Sequence, residues 1–425
     1  VTSTPPSPAQ RPLSQRVRIV LPAILAGLSM LGPFSIDTAF PAFAAIQRDF
    51  GVGTDGTQQL VSAYLLSFAV MSLFHGPLSD ALGRKPVMIG GLAAYGIGSI
   101  GCALSPNLLV LLGFRVLQGL AAGGGVIVSR TVIRDVYDGP EAQRLMSRVM
   151  MIFSIAPAIA PVIGGLLLQL GPWRVIFWFL TGVSILLIAL VAFVLPETHP
   201  AELRVPFSPR PLLTGLRTIS GSLTFHRVAW AGALAFGAQF LYIGSAAIFV
   251  VDLLHRGAQD FWMFFVPMIS GVALGAWLSG RLAGRVSGRR LVLGGQLFGV
   301  AGAGVNLAIA LSPVGATLPY AVIGPGLVAF GSAVAWPTMQ LIVLDMFPAT
   351  RGAAASALTF IPLVLNAVTA GALAPFVTRT VGTLAATCLA MTVGGLAMWM
   401  WHLAESRRVA MPEPVTIEGA EPLPD

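Results

Sequence analysis

The feature that most constrains this chain is the recurrence of apolar stretches as long as a bilayer is thick. A helix crosses the hydrocarbon core with about 20 mostly apolar residues. Such stretches fall near 19–44, 58–79, 86–105, 107–129, 147–169, 174–195, 227–250, 261–283, 291–311, 318–343, 353–377 and 381–403. Charged residues make up only 10% of the chain, against roughly 25% in soluble domains, so acyl chains must supply the missing solvent. In that medium each backbone N–H and C=O has to be satisfied internally. The expected fold is an all-α polytopic membrane protein with 12 transmembrane helices. The first stretch is too long for a cleaved signal sequence and is expected as the first retained span.

Charge placement orients the spans. Of the 25 basic residues, all but Lys85 are arginine. Alternate connections carry Arg11, Arg16 and Arg18; Arg84 and Lys85; Arg130, Arg134, Arg144 and Arg148; Arg204, Arg210, Arg217 and Arg227; Arg281, Arg285, Arg289 and Arg290; Arg351; and Arg407 and Arg408. That is 20 on one side; Arg48, Arg174, Arg256 and Arg379 are on the other, and Arg115 lies within a span. Basic residues are retained in the cytoplasm, so the crowded face and both termini are expected there. Nucleic-acid binding would want a basic stripe or tail, whereas these clusters are separated by apolar spans.

The longest connection, 196–226, holds Pro196, Pro200, Pro206, Pro209 and Pro211 at the midpoint of the chain. It divides the sequence into a tail (1–18), a six-helix bundle (19–195), a cytoplasmic linker (196–226), a second six-helix bundle (227–403) and a tail (404–425). GPLSDALGRK after the second span has a weaker counterpart, GRLAGRVSGRR, after the eighth. Two pseudo-symmetric halves are a common transporter build, with the substrate site between them. Proline at 157 and 161 removes backbone hydrogen bonds and should bend the fifth span.

Within GPLSDALGRK, Asp80 closes one helix and Arg84 and Lys85 follow the Gly83 turn, so acid and cations can latch facing helices together. The segment from Gly76 to Lys85 resembles the signature between helices 2 and 3 of the major facilitator superfamily. Leu112, Arg115, Gln118, Gly119, Ala121 and Ala122 are similar to the helix 4 motif of its proton-coupled members. Pro157, Pro161, Gly164 and Gly165 are similar to the helix 5 motif of its antiporters. SIDTAFPAFAAIQRDF around Asp37, the Arg134-Asp135 pair and WRVIFW narrow the resemblance to the bicyclomycin and chloramphenicol resistance branch of drug:proton antiporters. The match spans about 19–403, and it departs from the pattern at Gly284, which stands where the first half has Asp80, and at Ala160, where many antiporters have glycine. The resemblance implies a monomer in the bacterial inner membrane that exports lipophilic, drug-like compounds in exchange for protons and needs no cofactor or metal. Membrane lipids are the other expected partner.

Residues for such chemistry can be named. A carboxylate inside a span is expensive unless paired, wetted or protonated, and Asp37 falls in the outer half of the first span. Arg115 has no other charge within fourteen positions and keeps its proton; it needs Asp37, or backbone carbonyls and Gln118, as acceptors. These two are the candidate proton-coupling residues. Asp135 with Arg144, and Asp345 with Arg351, are candidate latches at matching ends of spans four and ten; with Arg134 and the helix 2–3 motif they form the expected cytoplasmic gate. Tyr64, Gln118, Gln239, Tyr242, Phe265, Asn306, Trp336 and Asn366 are the mid-span aromatic and uncharged polar candidates for a substrate pocket.

Other classes fit less well. No G-x-x-x-x-G-K-[ST] segment is present, as a nucleotide-driven pump requires, and no polar filter repeats as in a channel. The five histidines, 75, 199, 226, 255 and 402, are scattered, and Cys102 and Cys388 stand alone in apolar stretches, so neither enzyme nor metal chemistry is expected. The rival within the same scaffold is a proton-coupled exporter of a specific metabolite such as a sugar or amino acid.

Overall fold

The computed structural model describes residues 15–137, 139–204, 206–283, 285–347 and 351–410. Twelve long helices follow the apolar stretches: α1 Gln15–Asp37, α2 Thr54–Leu82, α3 Arg84–Ala103, α4 Leu108–Val136, α5 Gly139–Leu170, α6 Arg174–Phe193, α7 Leu223–Gly244, α8 Trp262–Leu282, α9 Gly288–Ala310, α10 Tyr320–Met346, α11 Arg351–Val368 and α12 Val381–Ala410. Among the described residues, ten spans are long and apolar enough to cross a membrane, and there is no β-sheet. Of the other two helices, α7 is largely buried, and α5 contributes the apolar stretch Ile155–Leu170. The protein is an all-α polytopic membrane protein. Large apolar side chains such as Leu170 and Phe193, 78% and 89% exposed, point outward to lipid.

The first six helices pack mainly on one another, α2 and α3 on α4, α3 on α6 and α1 on α5; the last six do likewise, α9 and α8 on α10 and α12 on α7. Close helix approach in lipid rests on small residues and shape. Between the two groups the main seams are α2 against α11 and α5 against α8. Among the described residues, the hydrogen bonds across them run from Gln59 Nε2 to the Gly371 carbonyl (2.9 Å), Ser62 Oγ to the Ala367 carbonyl (2.8 Å) and Gln259 Nε2 to the Gly165 carbonyl (2.9 Å). All three lie at the arginine-poor ends of their helices, so that side is sealed.

Three departures from the simple span pattern position the site. The first span is broken: α1 stops at Asp37, a 3-10 turn Phe40–Ala42 carries Pro41, and a short helix Phe43–Phe50 resumes. Pro41 has no N–H to continue the ladder, and Thr38 answers Phe34's carbonyl with both its N–H (3.1 Å) and its Oγ1 (2.6 Å). Second, α7 and α11 each continue into a π-helical turn, Ile248–Leu253 and Thr369–Leu373, at the sealed end. Third, the linker, irregular by its prolines, contains the helix Pro209–Ser220. Pro209 and Pro211 occupy its first turn, where a missing N–H costs nothing. Its Ile219 is fully buried in the second core cluster with Phe225 and Val228.

Gly371 in the α11 π-turn has no room for a side chain, since a Cβ there would stand 2.4 Å from Ser62 Oγ. Gly371→Leu should therefore loosen the seal. In a background with Cys102 and Cys388 replaced by alanine, a cysteine at Ala367 should label with maleimide several-fold faster in Gly371→Leu; equal rates would contradict this packing.

Candidate functional site

Arg115 lies in the second turn of α4, fully buried, and its donors are spread over neighbouring helices. Nε donates to the Leu60 carbonyl of α2 (3.2 Å). Nη1 donates to the Ser35 carbonyl (3.3 Å) and Oγ (3.1 Å) of α1 and to Gln118 Oε1 (2.9 Å). Gln118 Nε2 passes the connection on to Ser99 Oγ of α3 at 2.7 Å. The Tyr64 ring stands under the guanidinium, 4.7 Å from its carbon, and the Tyr64 hydroxyl donates to the Gly32 carbonyl (3.3 Å). A desolvated cation is thus dispersed over carbonyls, a hydroxyl, an amide and a π-face. Asp37, two residues past Ser35, is 2% exposed. Among the described residues its carboxylate makes no ion pair and no hydrogen bond. Asp37 and Arg115 share a neighbourhood, since Tyr64 lies within electrostatic reach of both, but they do not pair directly. Arg115 instead uses backbone and Gln118.

The α5 motif meets this site from the side. A Cβ on Gly164 would stand 2.2 Å from the Thr38 carbonyl, just past Asp37, and one on Gly165 would stand 2.7 Å from the Ala258 carbonyl of the other helix group. Glycine at both positions lets α5 press on the α1 break and on the seal at once. Pro157 and Pro161 lie inside α5, two turns and one turn before them. Asp252, in the π-turn after α7, lines a small crevice with Phe40, Gln47 and Thr54 from the first group. Burial pushes its carboxyl up, and the nearby His255 opposes that shift.

The pocket candidates divide. Tyr64 and Gln118 belong to the Arg115 cluster. Tyr242 and Asn306 bond to each other across α7 and α9, Asn306 Nδ2 donating at 2.7 Å. Phe265 stacks across the seam on Phe40, with ring centres 6.5 Å apart. Trp336 stacks on Phe236 at 5.7 Å. Gln239 is buried on α7, and Asn366 is buried on α11 with its Oδ1 unpartnered. They do not converge on one cluster of contacts.

At the arginine-rich end the helix 2–3 motif builds a network. Gly83 has φ +99°, open to glycine without strain, and a Cβ there would meet Glu197 and Arg204. After that turn Arg84 pairs with Asp80, reaches Asp135 Oδ2 through Nε (2.9 Å) and donates to Ser79 Oγ (2.7 Å). Lys85 Nζ donates to the Ala192 carbonyl at 2.6 Å. Gly76 contributes its carbonyl to Ser79 Oγ (2.8 Å). Asp135 therefore binds Arg84 and Thr198; the side chains of Arg144, Arg134 and Arg351 lie outside the described residues, as does Gly284. Asp345 sits near the end of α10, just before α11 begins at Arg351.

Sequence reasoning missed Glu197. Its two oxygens accept the N–H groups of Arg84 (3.0 Å) and Lys85 (3.1 Å), so a carboxylate caps the start of α3. The available signal was an acid directly after Pro196 where the linker leaves α6, opposite a helix that starts with no capping side chain of its own.

A model of the Major Facilitator Superfamily matches residues 25–361. The chain belongs to that superfamily. An uncharacterized MFS-type transporter of Bacillus subtilis is 32% identical over 279 residues, covering 65% of this chain and 69% of that protein. A bicyclomycin resistance protein homolog of Haemophilus influenzae is 26% identical over 278 residues, covering 65% and 70%. The crystal structure of a bacterial homolog of the human lysosomal transporter Spinster, inward-facing and occupied, superposes with TM-score 0.72 at 16% identity, over 93% of this chain and 98% of that one. Superfamily membership makes the protein a multi-pass secondary transporter.

Glu197→Ala should remove both caps of α3 and destabilise the protein by about 1 kcal/mol per lost bond, seen as a lower melting temperature in detergent. Glu202→Ala, at an exposed acid of the same linker, should leave it unchanged. Equal melting of the two variants would refute the capping role.

Proposed function

We propose that the chain is a drug:proton antiporter of the bicyclomycin and chloramphenicol resistance branch, exporting lipophilic compounds from the bacterial cytoplasm by alternating access. The observation that carries this reading is the carboxylate of Asp37, buried at a helix break with no ion pair or hydrogen bond among the described residues, beside an arginine whose Nε and Nη1 donate elsewhere. An unpaired buried carboxylate favours its protonated form, whereas solvent access or movement toward a cation favours the charged one. Asp37 takes a proton in the state open to the outside and gives it up on the cytoplasmic side as drug binds. Arg115, with Tyr64 and Gln118, ties that event to the packing of α1, α2 and α4.

With the arginine-rich face cytoplasmic, the sealed face is the outer one. The bundles 19–195 and 227–403 rock about the seams of α2 with α11 and α5 with α8, with Pro157, Pro161, Gly164 and Gly165 at the sealed face. The network of Asp80, Arg84, Lys85 and Asp135 holds the cytoplasmic ends of the first bundle in register, and Asp345 and Arg351 act at the corresponding place in the second. The pocket is drawn from Gln239, Tyr242, Phe265, Asn306, Trp336 and Asn366 together with Tyr64 and Gln118. The bicyclomycin resistance homolog supports a drug substrate. The protein acts as a monomer.

A second reading, a proton-coupled exporter of a polar metabolite, is favoured by buried amide atoms without hydrogen-bond partners among the described residues, Gln58 Nε2 and Oε1 and Asn366 Oδ1. They offer hydrogen bonds to a sugar or amino acid that a lipophilic drug would not use.

In proteoliposomes, Asp37→Asn should abolish drug movement driven by an imposed proton gradient while drug exchange at equal pH persists. Gradient-driven transport at the wild-type rate by a well-folded variant would sink the assignment.

A further inference from the structure

At the arginine-poor end, the close of SIDTAFPAFAAIQRDF and the start of WRVIFW stand apart from the coupling residues but touch each other. Asp49 Oδ2 accepts from Trp173 Nε1 at 2.9 Å and from Arg174 Nη1 at 2.6 Å. Arg174 Nη2 extends the tie to the Ser105 carbonyl, just past α3, at 3.1 Å, and its guanidinium stands 4.4 Å over the Trp173 ring. Asp49 and Arg174 are partly exposed, and an ion pair of that kind holds little by itself. Trp173 adds what the ion pair lacks. It is 2% exposed, packs edge-on against Phe50 (5.5 Å) and Phe177 (5.8 Å), and has a single indole N–H to satisfy, which Asp49 accepts. Towards α2, Gln47 Nε2 donates to Thr57 Oγ1 at 3.0 Å.

The outer piece of the first span, the short helix Phe43–Phe50, is thus tied to the start of α6, the end of α3 and the start of α2. The inner piece, α1, has other neighbours and rests mainly on α5 and α4. Between the two pieces the backbone ladder loosens. The Ala39 N–H reaches the Ile36 carbonyl (3.1 Å) and the Ala42 N–H the Ala39 carbonyl (3.0 Å), three-residue bonds of poorer geometry, and Pro41 has no N–H to give. A movement of α1 that leaves the outer piece in place therefore falls on residues 38–42, directly after Asp37. We infer that Asp49, Trp173 and Arg174 are a clamp that fixes the outer piece of the first span, makes residues 38–42 its hinge, and so positions Asp37 beneath a closed outer end. The consequence for Asp37 rests on the antiport reading above; the clamp and hinge do not.

The test places a reporter in the hinge of the full-length protein. With Cys102 and Cys388 replaced by alanine, Thr38→Cys puts a thiol at a fully buried position. A charged, membrane-impermeant methanethiosulfonate should label it several-fold faster in Asp49→Ala and in Arg174→Gln than in the parent. Asp49→Asn, which keeps an acceptor for the indole, should fall between. Asp55→Ala, at an exposed acid in the first turn of α2, should match the parent. In proteoliposomes Asp49→Ala should slow proton-driven drug transport several-fold and leave drug exchange at equal pH unchanged. A melting curve identifies a variant that has lost its fold, and Asp49→Asn, the mildest change, then carries both comparisons. Labelling no faster than in the parent, or equally fast in Asp55→Ala, would overturn the clamp. Faster labelling with proton-driven transport at the parent rate would overturn the positioning of Asp37. Wild-type coupling in Asp37→Asn would sink the antiport reading and that positioning with it, while the labelling rates decide the clamp on their own.

Discussion

A guanidinium cannot stay in a bilayer interior without acceptors, and Arg115 collects them from α1, α2 and its own helix, with Gln118 extending the network to α3. The packing of the first bundle depends on that arrangement. Each acceptor fixes a neighbour: the Ser35 carbonyl sets the last turn of α1, the Leu60 carbonyl sets the depth of α2, and the Tyr64 ring closes the face of the cation. In the hydrocarbon core the alternative to each bond is an unsatisfied polar group, so the helices cannot slide singly without breaking several bonds together.

That arrangement leaves Asp37 bare. Asp37 and Arg115 are neighbours, yet the arginine's Nε and Nη1 donate elsewhere and the acid has no partner among the described residues. The same stretch of α1 is where the helix breaks at Pro41 and where Gly164 of α5 presses on the Thr38 carbonyl. On the proposed mechanism, a change in the charge of Asp37 is felt at the break, and through α5 and the adjacent Gly165 at the contact with Ala258 that helps seal the arginine-poor side. The link between proton and seal is thus a few adjacent contacts rather than a long pathway.

The number and order of the spans were legible because about 20 apolar residues in a row have few other uses, and the Asp80 and Arg84 motif was legible because charges next to a glycine turn stand out against apolar spans. Helix ends were less so. Span one was read as continuous through 44 because Phe40, Phe43 and Ala44 stay apolar across a break that only Pro41 betrays. The linker helix escaped notice because its prolines fall in the first turn, where they are tolerated. Glu197 was illegible for a different reason: its role depends on a chain reversal that brings residue 197 beside residue 84, which no local pattern encodes. The pairing of Asp37 with Arg115, suggested by scarcity of charge, gives way to backbone acceptors that every sequence contains and none displays. The pocket residues stay scattered for the same cause, since mid-span polarity does not say whether a side chain faces a neighbour or a substrate path.

On the proposed mechanism drug binding and Asp37 ionisation are one event. This is tested most directly by adding drug to the purified, weakly buffered protein and measuring the protons released. The wild-type protein should release protons on drug binding, and Asp37→Asn that still binds drug should release none. Equal release from both, or drug binding to the wild type with no proton released at any pH near neutrality, would contradict it.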